Sequence, residues 1–142
     1  MERVVIDASV AVKWVLDEPG SPQARRLAAA RLEAPDLLLV ECASVLWKKV
    51  QLGDLRQAEA AERLGLLNCA PVTWASSPDL LEAALRLALD LRHPVYDCLY
   101  LALALQLAIP LVTADRRFAL TVSRRPALAR YIRTLDDLPA PT

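Results

Sequence analysis

Val4, Val5 and Ile6 stand together near the start of the chain, and the next residue is Asp7. Three β-branched residues with no polar residue between them describe a strand covered on both faces. Strands of that kind belong to parallel sheets, whose crossover connections lay helices over each side. A chain that opens this way must supply enough apolar helix to cover a sheet twice. It must also find a partner for a carboxylate that leaves a core strand, because such a charge is costly when unpaired.

The pattern downstream meets the first requirement. Apolar spacing, caps and breakers predict a strand at 3–6 and a helix over about 9–16, with Ser9 near its N-cap and a stop at Asp17-Glu18-Pro19-Gly20. Ser21-Pro22 starts a second helix, which the run "QARRLAAARL" carries to about 32. "EAPD" reads as a turn or very short strand, with Asp36 capping a helix over 37–52 and Gly53 in the C′ position. A helix over 55–67 completes a hairpin with it. Then come a strand at 71–74, a helix capped by Ser76 or Ser77, and a restart at His93-Pro94 into a helix over 95–108. A strand at 110–113, a helix over about 116–123, an edge strand in "RYIRTL" and a frayed "PAPT" tail close the chain. Short strands alternating with helices predict an α/β fold with a short central parallel sheet and helices on both faces. The whole of 1–142 fits one domain.

Several classes are set aside by what the chain lacks. No apolar run approaches the roughly 20 residues of a bilayer span, and the longest, 98–109, is broken by Gln106. Met1-Glu2-Arg3 leads straight into a strand without the pattern of a secretory signal, so the expected location is the cytoplasm and no membrane partner is expected. Cys42, Cys69 and Cys98 sit apart in apolar company and read as core residues. Trp14, Trp47 and Trp74 read the same way. Formal net charge is zero, yet residues 113–135 carry Arg116, Arg117, Arg124, Arg125, Arg130 and Arg133 against Asp115 alone. That stretch is either a phosphate-binding patch or a solvated arginine face.

Ligands of open α/β sheets bind beyond the carboxyl ends of the strands. Asp7 lies at such an end, and Asp115 lies two residues after Thr113 at another. Asp97 occurs in "PVYDCLYLALALQLA", a helix apolar almost all round and therefore buried. An acid there needs a partner, a metal, or the favourable dipole of a first turn. Glu41 forms a polar stripe with Ser44, Lys48 and Gln51, which a solvated helix face also explains. Asp7 and Asp115 can equally be N-caps. As a set, the four carboxylates are hard oxygen ligands suited to Mg²⁺ or Mn²⁺, and without a cation they would repel one another. No GxSxG, Walker loop or GxGxxG offers another chemistry. His93, the only histidine, reads as a helix-start residue.

The segments "VVIDASVAVKWVL", "VECASVLWK" and "VYDCLYLALALQLAIPLVTADRRF", with their order and spacing, resemble a PIN-domain ribonuclease, and most closely the VapC-type toxins of toxin–antitoxin pairs. The resemblance implies a three-layer α/β/α fold and Mg²⁺- or Mn²⁺-dependent cleavage of RNA, leaving a 5′-phosphate and a 3′-hydroxyl. Carried over residue by residue, it assigns Asp7, Glu41, Asp97 and Asp115 as catalytic metal ligands and Ser9 and Thr113 as the hydroxyls beside them. A further acid common in the family is replaced here by Arg116-Arg117, which become candidate RNA phosphate contacts. The resemblance also implies a homodimer silenced by a small antitoxin, for which the hairpin 37–67, with Leu55 and Leu66, is the expected contact.

Two alternatives carry different expectations. A catalytically silent PIN-like scaffold that only binds a protein partner has no need of four acids. A receiver-type phosphoacceptor domain needs paired acids after the first strand and a lysine after a late one, whereas the lysines are Lys13, Lys48 and Lys49.

Overall fold

A computed structural model describes residues 2–138; the tail expected to fray, 139–142, lies outside them. The element order is β1 (Arg3–Ile6), α1 (Ala8–Val15), α2 (Ser21–Leu27), β2 (Arg31–Pro35), α3 (Leu37–Gln51), α4 (Gln57–Asn68), β3 (Val72–Ala75), α5 (Ser77–Leu91), α6 (Val95–Leu107), β4 (Leu111–Thr113), α7 (Arg116–Ser123) and β5 (Ile132–Thr134). Among the described residues five strands form one sheet in the order β3-β2-β1-β4-β5, and each of these pairings is parallel. Val4, Val5 and Ile6 have no exposed surface, as a central strand covered twice demands.

Sheet order decides where the helices go. From β1 the chain steps outward to β2 and β3, then crosses back to β4 and continues to β5. Parallel crossovers are right-handed, so the change of direction moves the later helices to the opposite face. Accordingly α1 packs with α2, α3 and α4 in one layer, while α6 lies across β1, β2 and β4 with α5 behind it. Helix α6 is buried continuously from Cys98 to Ala104, which explains why it is apolar all round. The result is the three-layer α/β/α arrangement. It leaves a topological switch point between β1 and β4, the crevice where open α/β sheets bind ligands.

Several local expectations needed correcting. Helix α2 ends at Leu27 and not near 32, because Arg31–Pro35 is claimed by parallel pairing with both β1 and β3. Tertiary pairing here overrides the helix propensity of "LAAAR". The Asp36 side chain makes no capping bond to α3. Its Oδ1 accepts instead from the Ser77 hydroxyl at 2.5 Å and the Ser77 backbone N–H at 3.2 Å, tying the start of α3 to that of α5. Helix α4 starts at Gln57, with Glu59 Oε1 accepting from the Arg56 backbone N–H at 3.1 Å and from Arg56 Nε at 3.0 Å. Cys69 is exposed, unlike Cys42 and Cys98. Trp47 is 63% exposed and Trp74 37%, and only Trp14 is held inside, donating from Nε1 to the Ala24 carbonyl at 2.7 Å. Of the two leucines in the expected partner contact, Leu55 packs partly against the core and Leu66 is exposed.

Candidate active site

Strand β1 delivers Asp7 to the switch point, and the local sequence turns it into the N-cap of α1, the position expected for Ser9. Asp7 Oδ1 accepts from the Val10 backbone N–H at 3.2 Å and from the Ser9 hydroxyl at 2.5 Å. Its Oδ2 accepts from the Thr113 hydroxyl at 2.5 Å. With the cap supplied by Asp7, the Ser9 Oγ is free to accept from the Ala114 N–H at 2.9 Å, linking α1 to the end of β4. Thr113 Oγ1 in turn accepts from the Asp115 N–H at 3.0 Å. These two hydroxyls therefore lock the carboxyl ends of β1 and β4 together around one carboxylate.

The remaining acids reach the same place from three other elements. A cleft of about 500 Å³ is lined by Asp7, Ser9, Glu41, Asp97 and Asp115, with Ser44, Lys48, Tyr96 and Tyr100 among its other walls. Glu41 projects from α3 and accepts from the Tyr100 hydroxyl at 2.5 Å. Asp97 sits in the first turn of α6, with His93 Nε2 at 2.5 Å from its Oδ2. Asp115 caps α7, its Oδ1 accepting from the Phe118 N–H at 3.0 Å. Of the polar stripe, Glu41, Ser44 and Lys48 line the cleft, with Ser44 and Lys48 still exposed, and Gln51 lies outside it on the solvated face.

Electrostatics reflect the crowding. Asp7 is 5% exposed, and burial pushes its pKa up to about 6 against the opposing pull of Ser9, Thr113 and Val10; the charge of Asp97 adds to the rise. Burial also raises Glu41, with the Tyr100 hydroxyl opposing it and Asp97 reinforcing it. Tyr100 itself is raised by burial and by its contact with Glu41. Cys42 and Cys98 are pushed up to about 12 and about 11, first by burial and then by the neighbouring carboxylates, which leaves both thiols chemically quiet.

Among the described residues no three His, Cys, Asp or Glu side chains form a ready-made ligand cage. What the cleft offers instead is an open set of carboxylate oxygens, several already oriented by hydroxyl donors. An all-oxygen set of that kind fits a hard divalent cation that keeps much of its water, and does not suit a closed zinc-type site.

Three residues of the site carried no clear signal in the sequence. Tyr100 and Tyr96 looked like ordinary helix residues, although Tyr100 follows Asp97 by three, the spacing that puts both on one helix face. His93 precedes Asp97 by four and could have been read the same way. Arg116 and Arg117 stand exposed at the start of α7 and do not line the cleft. Arg116 Nε donates to Asp136 at 2.7 Å. Much of the basic stretch is likewise engaged: Arg125 with Asp90, Arg133 with Glu2, and Arg130 with the Tyr131 ring and hydroxyl.

Comparison with known proteins follows the same lines. The profile of the PIN domain family matches residues 4–122. Ribonuclease VapC3 of Pyrobaculum aerophilum is 36% identical over 121 residues, covering 82% of this chain and 92% of that protein. Ribonuclease VapC1 of Mycobacterium tuberculosis is 32% identical over 124 residues, covering 84% and 90%. Among solved structures, PAE2754 from Pyrobaculum aerophilum superposes with a TM-score of 0.73 at 20% identity, covering 95% of this chain and 90% of that one. Mycobacterium tuberculosis VapC20, described as a sarcin-ricin loop cleaving toxin, superposes with a TM-score of 0.64 at 17% identity, covering 82% and 93%.

Proposed function

The chain belongs to the PIN domain family, and from that premise we propose that it is an endoribonuclease of the VapC type, the toxin of a toxin–antitoxin pair, whose site takes a divalent metal. One observation carries the reading: four carboxylates from four separate elements line one cleft at the switch point of the sheet. We read Asp7, Glu41, Asp97 and Asp115 as the groups that hold Mg²⁺ or Mn²⁺, with Ser9 and Thr113 as the hydroxyls that aim Asp7.

The chain's own residues prepare the cleft for phosphodiester hydrolysis. Asp7 is held by three donors, Glu41 by Tyr100 and Asp97 by His93, so the carboxylates are oriented before substrate arrives. An RNA phosphate approaching four acids meets repulsion, so RNA binding and cation binding are coupled. Held by Asp7, Glu41, Asp97 and Asp115, a divalent ion would supply that neutralisation and the Lewis acidity for hydrolysis of the phosphodiester to a 5′-phosphate and a 3′-hydroxyl. Lys48 on the cleft wall adds one positive charge. Arg117, without an ion-pair partner among the described residues, and Arg116 beside it are suited to guide the strand toward Asp115. The protein acts in the cytoplasm as a homodimer of single-domain chains. A small antitoxin occupies the α3–α4 hairpin, where Trp47 and Leu66 present apolar surface.

The test is cleavage of a labelled RNA pool by antitoxin-free protein with Mg²⁺ or Mn²⁺, beside Asp97→Asn and an EDTA control. Cleavage by wild type alone, abolished by EDTA and in the variant, is the expected result. Cleavage that survives Asp97→Asn refutes the assignment, and a folded wild type inactive across the pool favours a silent scaffold.

A further inference from the structure

His93 is the chain's single histidine, and its ring is held by two contacts. Nε2 stands 2.5 Å from Asp97 Oδ2, and the side chain is only 18% exposed. The ring lies against Phe118, with centroids 4.6 Å apart and planes inclined by 37°. Phe118 is itself 1% exposed, and its backbone N–H donates to Asp115 Oδ1. The backbone is equally constrained. Arg92 adopts the left-handed conformation at φ 54°, Pro94 caps α6, and the His93 N–H donates to the Ala88 carbonyl at 3.1 Å. A non-glycine residue is strained in that conformation, so the turn that presents the ring is maintained against a penalty.

As the donor to the Asp97 carboxylate, Nε2 carries the hydrogen of this bond. Asp97 Oδ2 is therefore taken by the ring, while Oδ1 has no partner among the described residues, and Asp97 lines the cleft. The geometry points to His93 as a positioning residue that fixes the orientation of the Asp97 carboxylate and, through Phe118, ties it to Asp115, so that the two are presented together to the divalent cation. This rests on the reading of Asp97 as a metal-holding residue. Partners that orient a ligating group commonly change metal affinity by about 10–100-fold when removed. His93 acts in this role through Asp97 and not by touching RNA.

The experiment is Mn²⁺ binding to the full chain, followed by electron paramagnetic resonance, for wild type, Asp97→Asn, His93→Ala, His93→Phe and His93→Gln. His93→Phe keeps a ring against Phe118 but has no N–H, and stands in if His93→Ala does not fold. The expected result is Mn²⁺ affinity about 10–100-fold weaker in His93→Ala and His93→Phe. His93→Gln, whose amide can donate to the same oxygen, should recover most of the loss. RNA cleavage by the weakened variants should climb back toward the wild-type rate as Mn²⁺ is raised, which a purely structural defect would not do. Wild-type affinity in His93→Ala or His93→Phe overturns the proposal, as does an equal loss in His93→Gln. If wild type and Asp97→Asn bind Mn²⁺ alike, the metal-site reading falls and the role of His93 falls with it.

Discussion

Asp7 is the residue whose worth to the protein should change sign when a cation is present. Burial raises its pKa from 3.8 to about 6 in the folded chain. Between those values the folded state keeps a proton that the unfolded state has released. Stability falls with pH wherever the folded state binds more protons, so it declines from about pH 4 and levels off above about pH 6. A shift of about two pH units at about 1.4 kcal/mol each makes the loss about 3 kcal/mol by pH 8. Asp7→Asn removes the ionisable group and keeps the oxygen that Ser9 and Val10 use. Its amide turns toward Thr113, whose hydroxyl can accept where it now donates. Urea unfolding in EDTA should find the variant more stable than wild type by up to about 3 kcal/mol at pH 8, with the difference closing by pH 4. Adding Mn²⁺ at pH 8 should stabilise wild type and leave the variant unmoved. Parallel pH curves for the two proteins in EDTA would refute the claim that Asp7 is buried at a cost. An equal response to Mn²⁺ would refute its role in holding the metal.

Thr113→Val keeps the shape of a fully buried residue but removes the donor to Asp7 Oδ2 and the acceptor of the Asp115 N–H, so urea unfolding should find it about 1–3 kcal/mol less stable. Tyr100→Phe removes the hydrogen bond that favours ionised Glu41. The acid limb of the pH–rate profile should therefore move to higher pH, and an unmoved limb would dissociate Glu41 from the rate. Titration with a thiol reagent at pH 8 should find one reactive cysteine in the native protein, the exposed Cys69, and three in denaturant. More than one in the native state would contradict the burial of Cys42 and Cys98.

Local chemistry was legible wherever a residue's role depends on its near neighbours in the chain. Gly53 takes φ 80° after α3 as its position after an amphipathic run implies. The α6 run announces a buried helix through its lack of a polar face. Legibility failed where a distant partner decides. The helix predicted to reach 32 stops at Leu27 because two neighbouring strands recruit Arg31–Pro35. Trp47 and Trp74 stand among apolar residues in sequence, yet their helix and strand turn them toward solvent. The arginine-rich stretch looks like a phosphate patch until Asp90, Asp136 and Glu2 arrive from elsewhere to meet it.

The candidate site divides along the same line. Local pattern was enough to require that a β-branched strand end in Asp7, that an apolar helix carry Asp97 in its first turn, and that Asp115 follow a late strand. Each follows from hydrophobic periodicity and capping, which act over a few residues. The tertiary structure decided that these acids meet Glu41 in one cleft, because only the strand order puts β1 beside β4 and brings α3 and α6 to their carboxyl ends. It also decided who holds two of them, Tyr100 on Glu41 and Thr113 on Asp7, while His93 reaches Asp97 from only four residues away. Two of those contacts span 59 and 106 residues of chain. No local pattern encodes a hydrogen bond that long-range packing alone completes.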